Sequence, residues 1–448
     1  MSANSWVVKG VPVYLMLAVY FPASFLGLFL LRDRSAVDFI CILIFFCVVY
    51  FLSFGFFSKV YVSLSSRVRS ICGVSRHGLT LLSLLALVFY IATLAYAAWI
   101  ADTVPLFIAL KGGGLMDIAH SRSQFLAGLV GYESLLRYSA FMLGRSIMPL
   151  ILVAAFMLKA RFRYWLLVLL LVLSMLAMEK AAPIFVLLPL AFYYVMECRW
   201  KAVFMTATIM LGCVLVLAFL AGGGNSRSSV DSVLLVAETD DSSQVLIVPP
   251  GMPIQEAMGD PSRALLPYYL RKHFSDEQYQ FDPNKLSAKF TLLLNRVGWV
   301  PYITAYDWLE FQRIVLEDRL TLGRSISFVH LLFGEPKMQL EKMVYVYEYG
   351  ASPGGQGASN TVFFVDAKLA FGWVGVIIYC LIFTFCAACI FTSGSQVLIV
   401  SSIVCFIIAS VSSLTATLLS GGLFIYFLLS LLLGEDDGAA LLRKGFPK

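Results

Sequence analysis

Apolar residues run along this chain in blocks of about twenty, parted by short polar stretches that carry most of the charge. A helix rising 1.5 Å per residue needs about that length to cross roughly 30 Å of hydrocarbon. The blocks predict ten membrane spans, over approximately 11–31, 36–57, 79–101, 139–158, 164–179, 181–198, 202–222, 362–391, 396–418 and 421–434. A membrane barrel would instead show segments of about ten residues alternating in polarity. The fold class is therefore all-α, a polytopic helical bundle. The first block is too long for a signal core and has no small-residue cleavage pattern before Arg32, so it counts as a span.

Two polar segments break the rhythm, 102–138 and 223–361, and the second divides the chain into 1–222, 223–361 and 362–448. Within 102–138, the apolar positions from His120 to Arg137 fit one amphipathic helix feeding the fourth span. The larger segment leaves the membrane through Gly222, Gly223 and Gly224. Helical spacing recurs over Lys285–Arg296 and Tyr302–Leu320, which predicts a small helical subdomain lying on the outer membrane face. Gly350–Gly357 reads as a loop, and Ser359-Asn360-Thr361 as the cap of the next long helix. No internal repeat is visible, nor any interrupted helix with polar groups at mid-membrane.

Composition agrees: 60% of residues are hydrophobic and 13% charged, with a mean hydropathy of +0.85, which excludes an ordinary soluble domain. The charges also set orientation. Lys59, Arg67, Arg69 and Arg76, then Lys159, Arg161 and Arg163, then Arg199 and Lys201 all fall on one side if the N-terminus is cytoplasmic. An even span count returns Arg443 and Lys444 to that side, so both termini are expected in the cytoplasm and 223–361 beyond the membrane. The net charge of +6 resides in these short segments, which argues against nucleic-acid binding. The nine cysteines avoid the large loop and show neither a disulfide framework nor a zinc motif.

Candidate chemistry rests on cations where orientation does not ask for them. Arg122 lies in the first outer segment, Arg145 about two turns inside the fourth span, and Glu179-Lys180 in the tight turn between spans five and six. An arginine at mid-span costs about 2.5–3.5 kcal/mol on insertion scales, less near an end, so Arg145 either snorkels outward or faces protein or a wet cavity. Arg296, Arg313, Arg319 and Arg324 follow in the large loop; Glu317 and Asp318 beside Arg313 and Arg319 suggest a solvated helix face for that pair. Guanidinium forks at headgroup depth suit phosphates, whether on a lipid-linked substrate or on ordinary phospholipid. Asp366 opens the eighth span, where the helix dipole favours it. Asp307, Glu133, His330 and Asp366 are candidate proton acceptors. No paired carboxylates after span one, nucleotide loop or nucleophile elbow appears, so no metal or other cofactor is expected.

Leu294-Asn295-Arg296, Gly323-Arg324-Ser325, Pro336-Lys337, Asn360, and Phe371-Gly372 with Gly375 follow one another through and beyond the large loop. In this layout the chain resembles the Wzy-type O-antigen and oligosaccharide repeat-unit polymerases, and more loosely the enterobacterial common antigen polymerases. One departure is Met178-Glu179-Lys180, where many such proteins carry a Gly-Ser/Thr-Arg turn; lysine keeps the charge and loses the fork.

The resemblance implies a metal-independent glycosyltransferase of the bacterial inner membrane with a periplasmic loop, which polymerises undecaprenyl-pyrophosphate-linked oligosaccharides. Its partners would be those lipid-linked glycans, membrane lipids and a chain-length regulator protein. Arg122, Arg296, Arg324 and Asp366 would serve catalysis; Arg145, Lys180, Lys337, Asn360, His330, Asp307 and Glu133 would hold pyrophosphate or glycan. An O-antigen ligase, a flippase for lipid-linked sugars and a membrane scaffold are the competing readings.

Overall fold

The computed structural model describes residues 6–71, 76–101, 103–113, 115–125, 129, 131–179, 181–222, 298–326, 338–349 and 358–433. Among these, regular structure is helical throughout. In chain order the α-helices are α1 (Trp6–Lys9), α2 (Val11–Leu31), α3 (Arg34–Ile71), α4 (Arg76–Ile100), α5 (Pro105–Leu110), α6 (Leu115–Phe125), α7 (Ser134–Arg145), α8 (Ile147–Met157) and α9 (Arg163–Met175). There follow α10 (Ala182–Met196), α11 (Trp200–Gly222), α12 (Val300–Ile314), α13 (Leu340–Tyr349), α14 (Phe363–Thr392), α15 (Gln396–Ser401), α16 (Ile403–Ala409), α17 (Leu414–Leu418) and α18 (Leu423–Leu432).

Among the described residues, six stretches are long and apolar enough to cross a membrane: Val11–Leu31, Arg34–Ser70, Leu81–Ile100, Gly131–Met157, Trp200–Leu217 and Phe363–Thr392. The other four expected spans are shorter apolar helices, Arg163–Met175, Ala182–Met196, Gln396–Ala409 and Leu423–Leu432. The main core is an aromatic seam between α3 and α14. Phe46 meets Phe363 and Phe364 at centroid distances of 5.7 and 5.5 Å, and Phe363 stacks on Phe383 at 4.8 Å. Lipid cannot drive this association hydrophobically, so the close ring packing itself holds the helices together. Other faces stay apolar and exposed, as at Phe21, Phe25 and Phe29 of α2.

Several expected helices are interrupted. The fourth span breaks at Ser146, between α7 and α8, because Pro149 has no N–H for the Arg145 carbonyl and its ring crowds that turn. The eighth contains non-helical backbone at Phe371 and Gly372, where Gly372 has φ +64° and ψ −150°. The carbonyls of Leu369 and Ala370, freed there, accept from the amides of Thr321 and Leu322 at 2.9 Å each. The ninth ends at Ala409 rather than 418, and α17 is a separate turn whose Ser413 side chain accepts from Ala416 N. Gly422, at φ +81°, closes this stretch, and a side chain on it would strike Ser146. The expectation of uninterrupted spans fails because proline and glycine, spaced singly inside apolar runs, leave hydropathy unchanged while removing donors and admitting left-handed backbone.

Two further expectations are corrected. The helix expected over His120–Arg137 is two helices: α6 ends at Phe125, and Gly131, with φ +61°, opens a 3-10 turn that leads into α7. The helix expected over Tyr302–Leu320 ends at Ile314, followed by left-handed Glu317 and Asp318. Within it, Tyr302 to Gln312, apart from Thr304, are all buried, packed among α2, α3, α13 and α14. Tyr302 seats over Gly27 of α2, where a Cβ would clash with its ring, and packs edge-on to Phe39 at 5.2 Å. The stretch Lys285–Arg296 and the loop Gly350–Gly357 lie outside the described residues.

Candidate functional site

The break after α7 sets Arg145 at a helix end beside a cleft. Tyr90 of α4, Phe125 of α6, Phe141 of α7, Phe185 of α10 and Glu179 line it, and it is open to the outside of the molecule. The guanidinium lies over the faces of Phe141 and Phe185, 5.0 and 5.7 Å from their centroids. Glu179 Oε2 is 3.9 Å from Arg145 Nη2, too far for a hydrogen bond, and the two side chains are 24% and 35% exposed. A cation among rings with undemanding partners keeps donors available for an anion whose attached chain is apolar.

Glu179 is held by the turn before it. Met178 adopts φ +53°, and its buried side chain packs with Ala109 of α5, Ile118 of α6 and Leu217 of α11. That conformation costs an ordinary residue about 1–2 kcal/mol, which the buried contacts offset. Ile118 and Phe125 lie on one face of α6, so the helix carrying Arg122 borders the cleft; Arg122 itself is exposed on the flank of that face.

A second constellation surrounds α12. Tyr306 donates to Asp33, at the junction of α2 and α3, and more weakly to Glu310 Oε1 at 3.3 Å. Arg313 Nη2 lies 3.5 Å from Glu310 and 3.7 Å from Asp33, and Tyr347 of α13 donates to Glu310 Oε2 at 2.9 Å. Arg313 thus pairs inward instead of with Glu317, whereas exposed Arg319 does pair with Glu317 at 3.2 Å. Deeper in, Trp308 Nε1 donates to Ser359 Oγ, whose hydroxyl donates to Glu348 Oε1 at 2.6 Å. Ser359 therefore serves Glu348, and α14 has Val362 at its N-cap with no side-chain hydrogen bond.

Asp307 Oδ1 and Glu348 Oε2 are buried without a hydrogen-bond partner among the described residues. Burial pushes the Glu348 carboxyl up to about 7, against the lowering effect of Ser359. Burial first, and then the charges of Glu348 and Glu310, raise Asp307 well above the usual carboxylate range. Glu310 is raised by burial while its bond from Tyr347 opposes the shift. Glu348 can therefore hold a proton near neutral pH, and burial favours the neutral form of Asp307 and Glu310 as well.

Of the remaining candidates, Arg324 follows left-handed Gly323 in the segment docked on the Gly372 break; its Nε is buried and unpartnered among the described residues, as is Thr321 Oγ1. Asp366 is buried in the first turn of α14 and interacts electrostatically with Glu341 of α13. Asn360 is exposed, and Glu133 accepts from Tyr96 at 2.7 Å. Arg296, Lys180, Lys337 and His330 lie outside the described residues. The structure thus gathers Arg145 and Glu179, with Arg122 at the border, in one place, and Asp307 with Arg313, Glu310 and Glu348 in another. Ile326, near Arg324, belongs to the same core cluster as α12 and α14, while Phe125 and Ile118 of α6 belong to two others. Glu310, Glu348 and Tyr347 escaped sequence reasoning, because nothing in the spacing marks α12 and α13 as mutually buried. Comparison with protein-family models, with curated proteins and with solved structures finds no match.

Proposed function

We propose that this chain is a membrane glycosyltransferase that polymerises undecaprenyl-pyrophosphate-linked oligosaccharide repeat units at the periplasmic face of a bacterial inner membrane. On this reading the chain crosses ten times with both termini cytoplasmic, and the Arg145 cleft and the α12 cluster open towards the periplasmic leaflet. The observation that carries the proposal is Arg145: a guanidinium without a hydrogen bond among the described residues, on the wall of a largely apolar cleft. Such a site suits a phosphate on a long hydrocarbon chain. The layout shared with Wzy-type polymerases supplies the reaction.

An acceptor sugar hydroxyl attacks the donor's anomeric carbon, the bond from that carbon to the pyrophosphate oxygen breaks, and the lipid carrier leaves with the bonding pair. Fixed cations stabilise the charge that grows on the leaving oxygen. The acceptor's proton passes to a carboxylate, for which Asp307 and Asp366 are the buried described candidates. The test is incubation of the purified protein with one lipid-linked repeat unit. Wild type gives a ladder of oligomers; Arg145→Ala loses at least ten-fold in rate, and Arg145→Lys recovers part of it. A ladder unchanged in Arg145→Ala refutes the role of the cleft.

The interrupted helices favour one second reading, a flippase for the same lipid-linked sugars, since transporters build substrate sites from broken spans. Translocation of fluorescent lipid-linked sugar across proteoliposomes without elongation would decide for it. Glycan transfer to a different lipid acceptor would indicate a ligase.

A further inference from the structure

Arg145 and Glu179 are the cation and the carboxylate among the side chains lining the cleft, yet they do not bond: the 3.9 Å separation leaves each attracted and neither locked. The backbone beneath Glu179 is fixed by the buried Met178 turn and by Ala182 N donating to the Glu179 carbonyl at 3.0 Å. Only the side chain is therefore free to move. A phosphate reaching Arg145 must take the position that Glu179 neutralises, and like charges cannot share it at short range.

We infer that Glu179 is a displaceable counter-ion of Arg145, a specificity-determining residue that swings away when a phosphate-headed lipid binds and returns as it leaves. The inference rests on the reading of the cleft as a lipid-phosphate site. The carboxylate sets a threshold: a headgroup must bind Arg145 better than Glu179 does. Weak contact with a monoanionic phospholipid does not meet that threshold. A pyrophosphate, with more charge and more acceptor oxygens for the guanidinium fork, does.

The experiment measures binding of undecaprenyl pyrophosphate, inorganic pyrophosphate and phosphatidylglycerol to the full-length protein in neutral detergent. Glu179→Gln keeps the shape and removes the charge, and should tighten undecaprenyl pyrophosphate about five-fold, the scale of a partly exposed ion pair. A gain with both undecaprenyl and inorganic pyrophosphate assigns the effect to the headgroup; a gain with the lipid alone shows that the apolar lining is needed to bring the phosphate to Arg145. Raising the salt should shrink the difference between Glu179→Gln and wild type, because screening weakens the charge competition; a merely structural role would leave the difference constant. Arg145→Gln, checked for monodispersity, should abolish the gain when combined with Glu179→Gln. If Arg145→Gln weakens binding but Glu179→Gln equals wild type, the counter-ion inference is overturned and the cleft reading stands. Should Arg145→Gln bind as wild type does, both fail.

Discussion

Replacing Gly372 by alanine isolates the contribution of the break in α14. At φ +64° and ψ −150° the residue occupies backbone space that is essentially glycine's alone, and forcing a side chain there costs about 1–3 kcal/mol. Space is not the obstacle, since an added Cβ would meet only Leu320 side-chain atoms at 3.7 and 3.8 Å, ordinary contact. The strain is relieved by moving the backbone, which pulls the Leu369 and Ala370 carbonyls from the amides of Thr321 and Leu322. Hydrogen exchange by mass spectrometry over 319–326 reads this opening directly. A loss of 1–3 kcal/mol of local stability speeds exchange there about 5- to 150-fold. Gly212→Ala, on α11 with open space around it and ordinary helical backbone, is the control: it should leave 319–326 unchanged and stabilise α11 by about 0.5–1 kcal/mol. Exchange in Gly372→Ala within two-fold of wild type would refute the argument that this glycine holds the Arg324 segment in place.

Two predictions concern α12 and α13. Because burial raises Glu348 to about 7, the stability it contributes is complete below the ordinary glutamate range and is lost as pH rises through about 7. Exchange over 340–349, corrected for intrinsic rates, should therefore quicken from about pH 6 to about pH 8. Glu348→Gln should reduce that slope, leaving what Asp307 and Glu310 contribute. Tyr302→Phe removes a buried hydroxyl without a partner among the described residues and should stabilise the docked α12 by about 1 kcal/mol, while Gly27→Ala forces the ring away and costs about 1–3 kcal/mol; melting in detergent reads both.

The apolar blocks were legible because hydropathy over twenty residues is a property of composition, and each of the ten blocks contains helix. Interruptions were not, since Pro149 and Gly372 sit within runs whose hydropathy they barely alter. The burial of α12 was hidden for a different reason. Its charged and tyrosine positions look amphipathic in sequence, but Tyr306, Glu310, Arg313 and Asp33 satisfy one another across 273 residues of chain, in a network that no local pattern announces. Arg145 was readable as an unusual cation within an apolar block, but the break that Pro149 makes four residues later, which sets Arg145 at a helix end, was not. The pairing of Ser359 with Glu348, which removes it from the cap of α14, depends on the fold.

A polymerase of lipid-linked units handles two carriers at once, a donor that loses its glycan and an acceptor that keeps its own. Each brings a pyrophosphate to the membrane surface. The cations bear on this in a specific way: Arg145, bordered by the α6 helix of Arg122, lies with α4, α7 and α10, while Arg324 is fastened by the Gly372 break to the core that contains α12 and α14. Two cations in two settings would let each hold one carrier's phosphate. Asp307, Glu348 and Asp366 lie buried on α12, α13 and α14, and the Arg324 segment docks on α14 through Thr321 and Leu322. On the proposed reading, the attacking hydroxyl and the leaving pyrophosphate oxygen share one anomeric carbon, so a base among these carboxyls sets the donor's phosphate with Arg324 and the acceptor's own phosphate, remote from its hydroxyl, in the Arg145 cleft, where an anion-displaceable Glu179 helps the elongated carrier to leave.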